Sequence, residues 1–284
     1  MKKTKKSSFY PIGSLTGKKN YKYFCRIKKD GTRLERILLD IEDQRERERI
    51  ICLHYLKHNN HMFRDEWLGV NIISRDDPWD FKLEYSTGQI FNLEITSIAD
   101  GVDHFTYNKN EERFMKGVRS NEISFHELIK LNKFFPDQKT TDFIENEKLK
   151  KTPKDTILKN PITLGSRIFI CMREPDNTLE NIIRISIEKK VEKKHPDKEN
   201  TILIIDNRTS SFEIKDFQTV LTKLSQIVET YPFREIWLYN GYFSDNDGNN
   251  AEYSFVGLKL TKNQIQIMSK IDPSRIDANG VYTI

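Results

Sequence analysis

Asp80, Lys82 and Glu94 lie on two short runs, 79–85 and 89–97, in which polar and apolar residues alternate with period two. Read as a hairpin, Trp79-Asp80-Phe81-Lys82-Leu83-Glu84-Tyr85 and Phe91-Asn92-Leu93-Glu94-Ile95-Thr96-Ser97 join through Ser86-Thr87-Gly88, where Gly88 supplies the positive φ of a tight loop. Pairing Tyr85 with Gln89 opposes Leu83 to Phe91, Phe81 to Leu93 and Trp79 to Ile95 on one apolar face. The same register sets Asp80 opposite Glu94. Directly opposed carboxylates have Cβ atoms about 5 Å apart and repel unless a cation lies between them. A divalent metal is the cation such a pair would recruit. The plainer reading of the pattern is ordinary antiparallel sheet, with Lys82 neutralising its neighbours.

The flanking segments predict elements that could hold this pair. Residues 40–58 read as a helix, dense in Glu/Arg pairs at first and apolar afterwards, with Glu46 and Glu48 as its acids. Residues 67–73 are a β-branched run with strand character, so the order is helix, strand, strand, strand. Residues 108–150 look helical and highly charged, and Thr152-Pro153 and Asn160-Pro161 end that run. Then follow an apolar strand 167–172, a helix 179–194, a strand 201–206, a helix 213–230, a strand 235–239, and a last strand from Tyr253 to Leu258 with a short helical tail. Continuous apolar strands alternating with amphipathic helices predict an α/β fold, a mixed sheet covered on both faces, in which the second half extends the sheet of the first.

At this point the chain resembles the PD-(D/E)XK, or restriction-endonuclease-like, phosphodiesterases, whose signature is an Asp on one core strand and Glu-X-Lys on the next. Asp80 matches the first acid, Glu94 the second, and Thr96 stands where the family usually has lysine. Pro78-Trp79-Asp80 carries one residue more than the usual Pro-Asp. The resemblance covers residues 40–172 and implies an αβββαβ core, enlarged here by a helical insertion at 108–160 and a C-terminal α/β extension. It further implies a metal-dependent nuclease acting on DNA, with restriction or phage defence as its setting. Asp80, Glu94 and the backbone carbonyl of Ile95 would hold Mg²⁺ or Mn²⁺, and a first-helix glutamate would join them. Glu48 is preferred to Glu46 because it lies one turn before the apolar Ile51 and Cys52. Thr96 could hydrogen-bond the attacking water but brings no charge. Lys82 is the nearest replacement cation, with Lys109 and Lys116 as alternatives. A catalytically silent module of the same fold, binding nucleic acid or a partner protein, is the competing reading.

Composition bounds these expectations. The 284 residues are 37% hydrophobic, enough for one sizeable core, and the organisation expected is a basic arm at 1–36 followed by one domain at 37–284. Cys25, Cys52 and Cys171 are odd in number and widely spaced, which suits reduced thiols in a cytoplasmic protein. No run approaches the ~20 apolar residues of a membrane span. The net charge is +5, and the arm is rich in lysine and arginine interleaved with aromatics. Lys18, Lys19, Lys22 and Arg26 are its candidate phosphate contacts. The partner implied is DNA, with RNA the alternative and no membrane, beside a second copy of the chain or a defence-system subunit. His54, His58 and His61 have helical spacing but no further metal donors, and read as decoration of a helix end. Asp245–Asn250 reads as a polar turn, since Val256 occupies the position of an EF-hand's closing glutamate. No Gly-rich phosphate loop and no Gly-X-Ser-X-Gly elbow is present.

Overall fold

The computed structural model describes residues 21–27, 33–39, 43–64, 68–101, 120–162, 177–209, 214–244 and 251–270, together with Phe212 and single positions between 106 and 117. Its centre is a six-stranded sheet built from β3 (Val70–Arg75), β4 (Phe81–Tyr85), β5 (Ile90–Ile98), β8 (Thr201–Asn207), β9 (Glu235–Ser244) and β10 (Ala251–Lys259). The order across it is β10-β9-β8-β5-β4-β3. β3, β4 and β5 form an antiparallel meander, β8 and β9 add parallel to β5, and β10 returns antiparallel. This is the mixed α/β sheet that the sequence predicts, and the second half does extend the first.

The helices are α1 (Gln44–Phe63), α2 (Phe125–Phe134), α3 (Gln138–Leu149), α4 (Leu179–Glu192), α5 (Ile214–Val228) and α6 (Lys262–Met268). Side-chain oxygens start most of them. Asp43 accepts from the amide of Glu46, Thr178 from that of Asn181, and Thr261 forms a reciprocal capping box with Gln264.

Strand parity divides the core in two. Phe81, Leu83, Phe91, Leu93, Ile95, Ile202, Ile204, Trp237 and Tyr239 face α1 and pack with Ile51 and Tyr55. Ile98, Leu203, Ile205, Ile236 and Leu238 face the other way, onto Leu179, Ile183 and Ile187 of α4 and Leu224 of α5. β8 is buried along its whole length, which explains its uninterrupted apolar sequence.

The hairpin has the anticipated register, Leu83 with Phe91 and Phe81 with Leu93, and Tyr85 donates to the carbonyl of Gln89 across a loop where Gly88 has φ 84°. The strands are shorter at one end than read, because β4 starts at Phe81 and Trp79 and Asp80 lie in the bend before it.

Among the described residues, 108–150 are mostly helical, as expected of the insertion. They include β6 (Glu122–Ser124), α2 and α3, and with β7 (Ile157–Lys159) they pack around Phe114, Ile123, Phe125, Leu128, Leu131 and Ile144. Alternation of charge with short apolar runs hid a module that has its own core. The helix beside the parallel strand is α4. Within and just after the basic segment read at 1–36, β1 (Tyr21–Ile27) and β2 (Arg33–Leu39) form an antiparallel hairpin. The strand read at 167–172 and the turn Asp245–Asn250 lie outside the described residues, as does Cys171. Among the described residues no helix is long and apolar enough to cross a membrane.

Candidate functional site

Four elements meet where β4 begins. Asp80 is turned toward β5, and its Oδ2 accepts the Ile95 amide at 2.7 Å. A side chain thus takes the place of a backbone acceptor one residue before the ladder with Leu93 begins. Trp79, almost wholly buried, packs edge-to-face with His195, the ring centroids 4.9 Å apart.

Glu48 enters from the second turn of α1. It is buried, accepts from Gln44 Nε2 at 2.7 Å, and faces the Arg75 guanidinium at 3.4 Å. Asp76 has φ 63°, a left-handed conformation that aspartate tolerates better than most residues, and its Oδ2 pairs with Arg45 at 2.7 Å. Arg75 lies over the Phe81 ring at 4.7 Å and donates to the backbone carbonyl of Arg45, so it ties the end of β3 to the start of α1. Carboxylate oxygens of Glu48, Asp76 and Asp80 lie within 4.8 Å of one another. Glu46 faces away, paired with Arg49, which lowers its pKa.

Glu94 is 2% exposed and shares its strand face with Thr96. α4 covers that face with residues one turn apart: Ser186 donates to the Thr96 hydroxyl at 3.3 Å, and Lys190 is bonded to Glu94 Oε1 and, at 3.3 Å, to the Ile95 carbonyl. Lys193 adds a second ammonium at 3.3 Å from the same carboxylate oxygen. Asp80 receives less help. Burial, then the charges of Glu94 and Glu48, push its pKa up to about 7, against the opposing pull of the Ile95 amide and Lys190.

The structure therefore brings Glu48, Asp80, Glu94, Ile95 and Thr96 together. Lys82 is exposed on β4 opposite Asn92, while the ion pair with Glu94 is made from α4. Lys109 is exposed, and Lys116 lies outside the described residues. Lys18 and Lys19 also lie outside them, and Lys22 and Arg26 are on β1, of which only the backbone is described. Asp80, Glu94 and the Ile95 carbonyl, read as sharing one metal, have different partners in the structure. Lys190 engages the latter two oxygens, and the converging oxygens are those of Glu48, Asp76 and Asp80.

Sequence reasoning missed Asp76 and Lys190. Asp76 sits in a bend without periodicity, although its left-handed φ falls on one of the few residue types that accept it. Lys190 is separated from Glu94 by 96 positions, and only the spacing Ser186–Lys190 on a helix next to a parallel strand could have pointed to it.

Of the three histidines, His61 does lie in the last turn of the helix, and the other two are corrected. α1 runs on to Phe63, so His54 and His58 lie within the helix and face the sheet. His54 is hydrogen-bonded to the Tyr239 hydroxyl at 2.8 Å and stacked on Tyr253, while His58 packs on Phe255 and Trp237. Burial lowers their pKa values to about 3 and about 4. Comparison with protein families, curated proteins and solved structures finds no match for this chain.

Proposed function

We propose that the chain is a metal-dependent nuclease of the restriction-endonuclease-like class, hydrolysing DNA phosphodiester bonds. The observation that carries the reading is the convergence of Glu48, Asp76 and Asp80 from the two ends of the β3–β4 bend and the start of α1, beside a buried Glu94–Lys190 pair. Three carboxylates with no sulfur or imidazole among them form the donor set of a hard, oxygen-seeking ion such as Mg²⁺. When bound, such an ion supplies a water of lowered pKa and neutralises charge on the phosphate. The chain's own residues would do the positioning. The Ile95 amide fixes the Asp80 carboxylate, and Gln44 and Arg75 orient Glu48. Lys190 would supply the positive charge that Thr96 lacks, from a neighbouring helix rather than from the motif strand.

One observation favours the silent-module reading. Lys190 is bonded to both Glu94 and the Ile95 carbonyl, and Arg45 and Arg75 partner Asp76 and Glu48, so protein cations already offset much of the acidic charge. The two readings separate on Asp80→Asn. In a nuclease this variant loses Mg²⁺-dependent cleavage of plasmid or oligonucleotide DNA, and its metal-free melting temperature stays level or rises as carboxylate repulsion is relieved. Undiminished cleavage by purified Asp80→Asn protein would remove this cluster from the chemistry. A parent protein that cleaves neither DNA nor RNA would favour the silent module.

A further inference from the structure

The module between β5 and α4 carries a concentration of charge that the site does not use. Lys148, Lys150, Lys151, Lys154 and Lys159 fall within twelve residues that contain one acid, Asp155. Lys148 and Lys150 are paired with Glu145 and Glu147. Lys151, Lys154 and Lys159 are exposed and form no ion pair among the described residues.

Their loop is held from the inside. Buried Glu147 accepts from the Thr152 hydroxyl at 2.7 Å, and Lys151 takes φ 59° to turn the chain. The carbonyls of Lys154 and Thr156 point inward and accept the first amides of α2, those of His126 and Phe125, both at 2.9 Å. With its carbonyls committed to a helix N-terminus, the loop presents its lysine ammoniums outward. Two apolar side chains flank them, Leu149 at 81% and Ile157 at 61% exposure.

We propose that this loop docks the phosphate backbone of duplex DNA. Three unpaired ammoniums on a braced loop complement a regular line of phosphates, and Leu149 and Ile157 fit the apolar faces of sugars at its edge. The choice of DNA as partner rests on the nuclease reading. The module's place in the chain supports it, because β5 before it carries Glu94 and α4 after it carries Lys190, so substrate held here is held by a segment joined to both halves of the site.

The test is fluorescence anisotropy of the full-length chain with a labelled 30-base-pair duplex, titrated without metal at several salt concentrations. Each phosphate contact contributes about 0.9 to the slope of log K against log salt, so Lys151→Ala/Lys154→Ala/Lys159→Ala should flatten the slope by about 2 to 3 and weaken binding roughly ten-fold near 0.1 M salt. Lys130→Ala/Lys133→Ala/Lys139→Ala removes the same charge elsewhere on the module and should leave the slope close to that of the parent. Equal loss in both triples would mean that net charge alone is at work, and would overturn the assignment. So would an unchanged slope in the first triple or no binding by the parent. Binding is read without cleavage, so a protein that binds through this loop and never cuts would sink the nuclease reading and leave the docking surface standing.

Discussion

Glu94 and Lys190 form the most buried ion pair of the site, with side chains 3% and 14% exposed. A buried pair is weak evidence for stability, but breaking one strands the remaining charge. Lys190→Met should therefore cost about 3 kcal/mol, read by denaturant unfolding in EDTA, and Lys193 will rescue only part of that because it reaches the same oxygen from a more exposed position. Lys82→Ala should change stability by less than about 0.5 kcal/mol. In single-turnover cleavage the contrast should recur, with Lys190→Met slowed far more than Lys82→Ala. Equal rates for the two would leave α4 without a role in the chemistry. At this scale Asp80 and Glu94 were legible because period two puts them on one face. Their cation was not, because nothing local specifies which helix a strand will lie beside.

Elements, rather than single residues, decide the behaviour of α1. It presses two neutral histidines into the aromatic side of β9 and β10. His54 and His58 titrate near 6.5 when free and at about 3 and about 4 in the fold, so between those limits the unfolded chain binds more protons and stability falls as pH falls. At pH 5 the loss is about 2 kcal/mol per histidine, at ~1.4 kcal/mol per unit. Asp80 acts in the opposite direction, its raised pKa favouring the fold as pH drops below about 7, so the comparison belongs in an Asp80→Asn background. There, His58→Phe should flatten the acid limb of the stability curve, measured by urea unfolding from pH 7 to pH 5. An unaltered limb would mean that His58 is protonated in place. α1 is also tied to the far side of its layer by Glu235, whose Oε2 accepts from Tyr55, Trp237 and Gln264 at 2.7, 2.9 and 2.9 Å. Glu235→Ala orphans all three donors, and a thermal melt should register a loss of about 3 kcal/mol or more. β8, α5 and β9 could be read from sequence because continuous apolar runs and a 3.6-residue period are local signals. The depth of His54 and His58 could not, since it depends on aromatic residues about 180 positions away, Tyr239 among them.

For the whole molecule, the separate core of the inserted module predicts two cooperative units. Leu128 is completely buried among Phe114, Ile123 and Phe135, so Leu128→Ala should remove about 2 to 5 kcal/mol from the module. Hydrogen exchange should show faster opening of α2 and α3 and unchanged protection in β8 and β9. Loss of protection throughout would show one unit. The sheet's layered plan was legible from the alternation of strands and helices, whereas the β6–β7 pair inside the helical insertion and its separate core were not, because its short apolar runs serve contacts that only the fold brings together. A last consequence follows from the parity of β5. Its nine residues send Leu93 and Ile95 to one layer and Glu94 and Thr96 to the other. Deleting or inserting one residue there would exchange the two sets, driving a carboxylate into hydrocarbon and an isoleucine onto an ammonium. Homologous chains should accordingly vary freely in length after Ile98 and keep the length of this strand fixed, as a reading frame written in side chains.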